Sequence, residues 1–539
     1  MRAEPALDAV TIEILWTRIV SIVDEAAKVI ARTAFSTLSN EANDFACVLT
    51  DATGRSLAQN TYGIPSFIAT LPATVRHMLE AFGAETMRPG DVYITNNPWQ
   101  GTGHLPDVCL VKPIFHGGKL VAFSATTSHV PDIGGNVRSV APRELFEEGL
   151  HIPLTRFMRD GIADPLLLRI ITANVRTPAQ TIGDIWAQIS ANEMMEQRLA
   201  GMLREYRLAD LSALAEEIFQ RSEAAMRRAI HALPDGTFRC HIESDGMEAP
   251  FHFHVALHVA NREIVADYTG TSPQQPCAIN CPLTYTNAMT FYALKCALLP
   301  ELPNNDGMFR PVRVVAPERS LLNPVFPAAV GARAATGHYV PVVVFGALHA
   351  VIPDRVMAAP GSPLWNLTLT GDRGGSGGRF TSVLFFNGGL GGRPGRDGAS
   401  CLSWPSNISA TPVEVAERNA PVFFAHKRLS EGSGGDGQFR GGLGQDVRIT
   451  VEAEHGTSAF LMVERVRIAA PGLGGGVAGA PGRVLINDEP ANARVPHHLQ
   501  AGDTITLTTP GGGGYGEPAL RETAARQRDA ALGYAAPVG

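Results

Sequence analysis

Two apolar segments on either side of a tight turn place the strongest constraint on the fold. Residues 108–115 and 120–128 alternate or run apolar around His116-Gly117-Gly118-Lys119. Such a pattern is typical of two antiparallel strands joined in a hairpin. A preceding strand, 92–94, should stop at Asn96-Asn97-Pro98, because proline lacks an amide donor and disfavours helix at the residue before it. This part of the chain is therefore predicted to be β-structure with a loop ahead of the hairpin.

Candidate metal ligands lie at one end of the predicted hairpin. His104 and Asp107 sit in a glycine-bearing loop before the first strand, and His129 stands at the far end of the second. In an antiparallel hairpin these two ends lie at the same edge of the sheet, so the three side chains are expected to approach one point. Asp44, at the entrance of a predicted strand at 45–50, adds a carboxylate. Two imidazoles and two carboxylates suit zinc, manganese or ferrous iron.

The same residues leave alternatives open. Asp132, in the pattern His-x-x-Asp at 129 and 132, is either a further ligand or an acceptor that fixes the imidazole tautomer. In a plainer interpretation His104 caps a turn and His129 is hydrogen-bonded near the core. The glycine and proline residues around His104 favour the metal hypothesis, because functional residues concentrate in loops held by a rigid scaffold.

The composition argues against several functional classes. The 539-residue chain is 45% hydrophobic and 18% charged, so a folded protein of two or three domains is expected. Its formal net charge is −7 and it has no basic run, which argues against a nucleic-acid partner. Its seven cysteines form no Cys-x-x-Cys pair, and no apolar run reaches the about 18 residues that a membrane span needs. We expect a reduced, cytoplasmic protein with no membrane partner.

The order of the patterns predicts an α+β fold of several domains. Helical spacing of apolar residues predicts helices, and the region 163–232 should contain a helical hairpin. The other predicted helices are 11–33, 68–82, 287–298 and 340–351. From Phe238 period-two alternation predicts strands, and beyond Pro360 glycine clusters alternate with short apolar strands. The predicted domains are 1–235, metal-bearing α/β with a helical hairpin; 236–360, mixed strand and helix; and 361–539, β-rich with glycine loops.

Two further patterns resemble functional sites but fit them poorly. His252, His254 and His258 fall on one face of a predicted strand. No carboxylate or thiolate is expected in register immediately beside them, and a half-exposed polar strand face is the simpler interpretation. The glycine clusters lack the Lys-Ser/Thr of a phosphate-binding loop, and none follows a strand and opens a helix. ATP is therefore not expected to bind this chain through a recognisable loop.

Several long motifs resemble those of one known family. In chain order they are NNPWQGTGHLPDV, TTSHVPDIGG, ELFEEGLHIP, NVRTPAQTIGDIWAQ, DYTGTSPQ, INCPL, SLLNPVFPAAVGAR, TPVEVAE, FRGGLGQD and PGGGGYGEP. Together they resemble the successive signatures of the hydantoinase B/oxoprolinase family. The resemblance covers nearly the whole chain, and many long motifs in one order make it more specific than any single spacing.

The resemblance implies a subunit that works in a hetero-oligomer. Its partner would be a hydantoinase A-type chain, which binds ATP and has a different fold. Related systems are the N-methylhydantoin and 5-oxoproline amidohydrolases, a caprolactamase, and the acetone and acetophenone carboxylases. In members with a described metal site, one ion is coordinated by residues that match, motif by motif, Asp44, His104, Asp107 and His129.

The activity that the resemblance implies is ATP-dependent hydrolysis of a cyclic amide such as a hydantoin, a lactam or 5-oxoproline. The partner would phosphorylate the amide oxygen, and a metal ion on this chain would make hydroxide available at neutral pH. Asp107 or Asp132 would carry the proton. Two alternatives stay open: a ketone carboxylase, in which an activated enol attacks carboxyphosphate or CO2 near the same ion, and a non-catalytic scaffold that shapes the partner's active site.

The chain departs from the family pattern at two places. The family commonly has Asn-Asp-Pro where this chain has Asn96-Asn97-Pro98, so a carboxylate is absent there. Gly63 and Phe67 stand where some members have histidines. The second departure concerns the substrate pocket and leaves the metal ligands unchanged.

Overall fold

The computed structural model describes residues 8–136, 139–373 and 378–535. Over these residues the chain forms four β-sheets of four to seven strands, with helices packed against them. The predicted α+β fold class is confirmed.

The first sheet contains the predicted hairpin. Its strands β1 to β7 are Phe45–Asp51, Ser56–Gln59, Val92–Thr95, Asp107–His116, Lys119–His129, Thr155–Arg159 and Ile162–Ala163. They follow the order β2-β1-β5-β4-β3-β6-β7, and all neighbouring strands are antiparallel. In the hairpin of β4 and β5, Asp107 lies opposite His129. On the other side of β5, Phe45 of β1 lies opposite Ser128. The start of β1, the start of β4 and the end of β5 therefore meet at one edge of the sheet.

Helices cover both faces of this sheet. Helices α1 to α6 are Ala9–Thr33, Thr37–Asn40, Thr70–Phe82, Pro165–Asn174, Pro178–Tyr206 and Ser212–His231. Alternate residues of β1 pack with α1, α5 and α6 on one face and with α3 on the other, which explains why β1 is an unbroken apolar run. The helices predicted at 11–33 and within 163–232 are confirmed. The second predicted helix begins at Thr70 rather than Ile68, because Ala69 has a φ of 61°.

The second sheet has one covered face and one exposed face. Its strands β8 to β11 are Gly236–Ser244, Phe251–Ala260, Glu263–Asp267 and Val312–Val315, and helices α7 to α10 are Leu283–Leu298, Asp306–Phe309, Ala334–Gly337 and Tyr339–Leu348. The order is β11-β10-β9-β8, so β8 is an edge strand. Phe253 and the other apolar residues of β9 pack with α10, while His252 points to the exposed face. Glu243 of β8 lies directly opposite His252. The expectation of no carboxylate in register beside these histidines was wrong, because one strand's pattern does not reveal its partner's register.

The C-terminal part is rich in strands, as predicted. Strands β12 to β20 are Trp365–Asp372, Arg379–Phe386, Val422–Leu429, Gln445–Val451, Thr457–Met462, Arg483–Ile486, Glu489–Pro490, His497–Leu499 and Thr504–Thr508; helices α11 and α12 are Val413–Asn419 and Thr523–Ala531. They form two sheets, β13-β12-β16-β19 and β14-β15-β20-β17-β18. Trp365, Ile449 and Ile505 belong to one hydrophobic cluster shared by these sheets.

The glycine clusters of this part pack against one another. Gly512 donates a main-chain hydrogen bond to Gly442 at 3.0 Å, and Gly435 donates one to Gly512 at 2.9 Å. A Cβ atom on Gly441 would lie 1.9 Å from the carbonyl oxygen of Gly512. Backbones come this close only where side chains are absent. We call this arrangement the glycine interlock, formed by residues 389–392, 434–442 and 511–514.

Contacts cross both predicted domain boundaries. The carboxylate of Asp245 accepts main-chain hydrogen bonds from Val466 and Ile468, both at 2.7 Å. Phe385 belongs to the same hydrophobic cluster as Phe123 of the first sheet. The division into 1–235, 236–360 and 361–539 stays a prediction. No helix among the described residues has the length and apolar character to cross a membrane.

Candidate metal centre

The four predicted ligands meet at the sheet edge described above. Asp44 directly precedes β1, Asp107 begins β4 and His129 ends β5, while His104 lies in the loop between β3 and β4. All four are buried. The main-chain N–H of His129 donates to the carbonyl oxygen of Asp44 at 3.0 Å, which extends the β1–β5 pairing to the residues that carry the side chains.

The side-chain atoms lie at spacings that suit coordination of one cation. Asp107 Oδ1 is 2.9 Å from His104 Nε2 and 3.1 Å from His129 Nδ1. Asp44 Oδ2 is 3.5 Å from His129 Nδ1. His104, Asp107 and His129 each offer one ligand atom within 4.8 Å of the others. Metal bonds of about 2.0–2.2 Å place neighbouring ligand atoms roughly 3 Å apart, so these three residues form a candidate metal site.

Asp107 is oriented by donors on its outer oxygen. Its Oδ2 accepts from Thr102 Oγ1 at 2.8 Å and from Arg333 Nη2 at 2.5 Å, which leaves Oδ1 facing the two imidazoles. Arg333 comes this close because Gly103, with a φ of 102°, has no side chain; a Cβ there would lie 2.7 Å from Arg333 Cδ. Burial alone raises the pKa of Asp107, but its neighbours, with the charged Arg333 among them, lower it well below its usual range. The carboxylate is therefore ionised and held ready as an anionic ligand.

The main chain holds His104 in one tautomer. Its Nδ1 lies 2.9 Å from the carbonyl oxygen of Gly331, and because a carbonyl only accepts, Nδ1 carries the proton. In the neutral ring Nε2 then presents a lone pair to Asp107 Oδ1 at 2.9 Å. Burial and the charge of Arg333 lower the pKa of His104, so protonation of Nε2 is disfavoured. A bound cation satisfies both facing lone pairs, and the donor set therefore fits a divalent metal ion.

A buried carboxylate supports the loop that contacts His104. Glu148 Oε1 accepts from the main-chain N–H groups of Val330 and Gly331, at 2.8 Å and 2.6 Å. Burial raises the pKa of Glu148 to about 8. These bonds hold the main chain just before the carbonyl group of Gly331 that accepts from His104 Nδ1, so Glu148 acts on the ring through the main chain.

The candidate metal group borders a mostly apolar pocket. Asp44, His104 and His129 line one side of it, and the other walls include Phe67, Tyr285, Leu364, Phe385, Ile408 and Met462. His338 also lines the pocket, and its Nδ1 accepts from the main-chain N–H of Leu364 at 3.3 Å. Burial lowers the pKa of His338 to about 3, so the ring is neutral and carries its proton on Nε2. The pocket thus combines apolar walls with one fixed imidazole donor.

Asp132 lies apart from the other predicted site residues. Its Oδ1 accepts from Arg176 Nη1 at 2.7 Å and from the main chain of Gly134 at 3.2 Å, and its Oδ2 accepts from the main chain of Arg176. These bonds hold the loop that follows β5. The proton-carrying role expected of Asp107 or Asp132 stays a prediction.

The two departures from the family pattern have structural consequences. Asn97 Oδ1 accepts from the main-chain N–H of Trp99 at 2.9 Å, so this side chain shapes the turn after β3. Phe67 lines the pocket and adds apolar surface where a histidine would add a polar group. A Cβ on Gly63 would lie 2.9 Å from Gln59 Nε2, so a larger residue there requires Gln59 to move.

Reasoning from residue spacing missed three residues around the group. They are Thr102, Glu148 and Arg333, which orient Asp107 or support the His104 loop. Each falls within a motif quoted above: GTGHLPDV, ELFEEGLHIP or SLLNPVFPAAVGAR. Arg333 contacts Asp107 across 226 positions of sequence, so residue spacing could not indicate this contact. The presence of these residues in the family motifs was the only signal that could have pointed to them.

Comparisons with known proteins decide the family. The profile of the family Hydantoinase B/oxoprolinase matches residues 8–518. The chain belongs to this family. One hydantoinase B/oxoprolinase relative, from Pseudomonas sp. (strain NS671), is named as one subunit of a D-/L-hydantoinase and is 30% identical over 96% of this chain and 91% of its own length. The 5-oxoprolinase of Dictyostelium discoideum is 28% identical over 95% of this chain, which spans 40% of that protein.

Two solved structures share the hydantoinase B/oxoprolinase fold described here. The crystal structure of ATP-dependent caprolactamase from Pseudomonas jessenii matches with a TM-score of 0.89 and 25% identity, over 98% of this chain and 95% of that one. Nucleotide-free acetone carboxylase matches with a TM-score of 0.88 and 18% identity, over 98% of this chain and 78% of that one. At that lower identity the second match establishes the fold alone.

Proposed function

We propose that this chain is the metal-dependent subunit of an ATP-dependent hydrolase of cyclic amides, with a hydantoin, a lactam or a 5-oxoproline-like ring as substrate. The observation that carries this proposal is the buried His104, Asp107 and His129 group at the wall of an apolar pocket. The methylene groups of such a ring would contact the apolar walls, and a metal site beside it would place hydrolytic chemistry within reach.

The relatives support the reaction class. Those described above are named for a hydantoinase subunit, a 5-oxoprolinase and an ATP-dependent caprolactamase, and in each name the substrate contains a cyclic amide. The first relative is named as a subunit, and the 5-oxoprolinase is much longer than this chain. Both facts support the proposal that this chain works together with a second polypeptide or domain. We assign ATP binding and phosphorylation of the amide oxygen to a hydantoinase A-type partner in a hetero-oligomer.

The residues of this chain would divide the work in the pocket. Asp44, His104, Asp107 and His129 would hold one divalent ion, with zinc, manganese and iron all compatible with the donors. The ion would supply Lewis acidity, which can lower the pKa of water from 15.7 to about 7. Arg333 would keep Asp107 ionised and oriented.

Other groups of the pocket would orient the ring. The Nε2–H of His338 would donate a hydrogen bond to a carbonyl of the substrate, since its Nδ1 is occupied by Leu364.

Of the two predicted proton carriers, Asp107 contacts both histidines while Asp132 is bound by Arg176. We therefore retain Asp107 for the site and give Asp132 the role of holding its loop.

The test measures turnover and metal content together. His104→Ala and His129→Ala chains are combined with the A-type partner, ATP and hydantoin, caprolactam or 5-oxoproline. Both variants should lose turnover and bound metal. His116→Ala is the matched control, because His116 stands at the opposite end of β4 and should change neither quantity.

Three results would each contradict the hydrolase proposal in a different way. Undiminished activity and metal content in both variants would contradict the proposal. Product that forms from a ketone only with bicarbonate would assign the chain to a carboxylase instead. Freshly purified chain without stoichiometric metal, in a complex that is nevertheless active, would favour the non-catalytic scaffold.

A further inference from the structure

A second group of metal-ligating side chains lies on the exposed face of the second sheet. His241 and Glu243 are alternate residues of the edge strand β8, and they lie directly opposite His254 and His252 of β9. Because side chains two residues apart share a face, these four form a block of two by two on one side of the sheet. The block comes from different strands and a different sheet than the buried centre.

The ligand atoms of three of these residues already lie close together. His241 Nε2 is 3.1 Å from His252 Nδ1, and Glu243 Oε1 is 3.4 Å from the same nitrogen. All three ligand atoms fall within 4.8 Å of one another. Zinc bonds of about 2.0–2.1 Å at the tetrahedral angle separate two ligand atoms by roughly 3.3 Å. Two of the three spacings are thus close to those of a tetrahedral site without any change in backbone.

The fourth residue of the block holds one of these rings in place. The His254 ring stacks on the His241 ring with centroids 4.3 Å apart and planes 24° apart. The main chain of β9 is anchored as well, since the N–H of His252 donates to Ser272 Oγ at 2.9 Å. The His241 ring and the main chain of β9 are therefore both held in place.

A simpler role for the cluster is an exposed pair of cross-strand contacts. The side chains of His252 and Glu243 are 47% and 43% exposed, and ion pairs at such exposure contribute little to stability. That role accounts for one histidine opposite one glutamate. A hydrogen bond between the two rings accounts for the approach of His241 Nε2 to His252 Nδ1. That nitrogen has a single proton or a single lone pair to share between His241 and Glu243, whereas a cation would bind all three ligand atoms.

We propose that His241, Glu243 and His252 form a second, exposed site for a divalent transition-metal ion. The donors, two imidazoles and one carboxylate, are those of three-ligand zinc sites, so Zn²⁺ is the ion we assign. Water would complete the coordination, because the face is open to solvent. This inference is independent of the proposed hydrolase function, since it uses none of the residues of the buried centre.

The experiment counts Zn²⁺ ions on the full-length chain. Metal-free wild-type protein, His252→Ala and Glu243→Gln are titrated with Zn²⁺ alone against a chromogenic chelator. His252→Ala should bind one equivalent fewer than wild type, and Glu243→Gln should bind the same ion at least about 10-fold more weakly. Circular dichroism and the midpoint of unfolding check that each variant is folded.

The matched control is a histidine on the same strand face but outside the cluster. His258 faces the same side of β9 and contacts Thr237 Oγ1 through its Nδ1 at 2.9 Å. His258→Ala should retain the wild-type equivalents and affinity. Equal equivalents and equal affinity in wild type, His252→Ala and Glu243→Gln would overturn the proposal. Loss in His258→Ala as large as in His252→Ala would overturn it too, because it would show non-specific binding to surface histidines.

Discussion

At the scale of single residues, Asp107 has two oxygens with separate partners. Oδ2 is held by Thr102 and Arg333, and Oδ1 faces His104 and His129. Two fixed donors behind one oxygen aim the other, so the direction of the carboxylate does not depend on the metal. Partners that orient a ligand in this way commonly affect metal affinity almost as much as the ligands do.

Arg333→Ala tests this arrangement. Without the guanidinium, Asp107 Oδ2 keeps only the Thr102 hydroxyl, so the carboxylate gains freedom to rotate. We expect metal affinity to fall by about 10–100-fold, measured as metal retained after dialysis against a graded series of chelators. Arg18→Ala is the control, because Arg18 of α1 forms an exposed ion pair with Glu205 of α5 and belongs to no part of the candidate site. Wild-type retention in Arg333→Ala would show that Thr102 alone suffices.

The residues of the candidate site could be predicted from the sequence only in part. His104, Asp107 and His129 were found because hairpin geometry brings the ends of two adjacent strands together. Glu148 reaches the site through its bond to the main chain of Val330, and Arg333 reaches it by contacting Asp107 directly. No local pattern specifies such tertiary contacts. The opposition of Glu243 and His252 was missed for a related reason, since it depends on the register between two strands.

At the scale of elements, the local pattern of apolar residues explains the bounds of some helices and strands but not the packing of the glycine clusters. α1, β4 and β5 match their predicted bounds closely, because burial of one face imposes a clear period and burial of both faces gives an unbroken apolar run. The glycine clusters have no such period. They were expected to be loops, and their packing into the glycine interlock depends on segments far apart in the chain.

Gly441→Ala tests the glycine interlock. The new methyl group would lie 1.9 Å from the carbonyl oxygen of Gly512, so one backbone must move away. We expect a loss on the order of 3 kcal/mol in the free energy of unfolding, measured by urea denaturation. Gly201→Ala, within α5, is the control. Apart from the backbone of the helix itself, the nearest atom to the new Cβ is Arg204 Nη2 at 4.0 Å, and the higher helix propensity of alanine should stabilise the protein by up to about 1 kcal/mol. Equal stability of the two variants would argue against close packing.

At the scale of the whole molecule, a buried polar cluster connects the second sheet to the C-terminal part. Glu464 follows β16 and accepts from Arg494 Nη2 at 2.7 Å, and the same guanidinium nitrogen donates to the carbonyl oxygen of Gly246 at 3.0 Å. Asp245 binds the main chain of Val466. The contact between the two predicted domains on either side of residue 360 is therefore expected to depend on the charge of Glu464.

The charge of Glu464 predicts a pH dependence of stability. Burial and the charge of Asp245 raise the pKa of Glu464 and Arg494 lowers it, and the net result is a rise from 4.5 to about 7. Between these values the unfolded chain releases the proton while the folded chain retains it, so the stabilisation present below pH 4.5 is lost as the pH rises through 7. The free energy of unfolding should fall by up to about 1.4 kcal/mol per pH unit in this window.

Glu464→Gln isolates this contribution. The amide cannot titrate, so the variant should show a flatter dependence between about pH 5 and pH 7, measured by urea denaturation at several pH values. Glu414→Gln, on the short helix α11, serves as the control and should keep the wild-type slope. Parallel curves for wild type and Glu464→Gln would assign the pH dependence to other groups.

The glycine interlock also sets an order of events during synthesis. Residues 389–392 and 434–442 leave the ribosome before residues 511–514, yet their main-chain groups pair with that later segment. Until it emerges, the earlier glycines carry open hydrogen-bonding edges with no side chains to shield them, the kind of surface that promotes misassembly. Completion of the C-terminal sheets is therefore expected to wait until residues 511–514 have emerged, and a nascent chain stalled before Gly511 should be protected from protease over its first sheet but cleaved readily around Gly441.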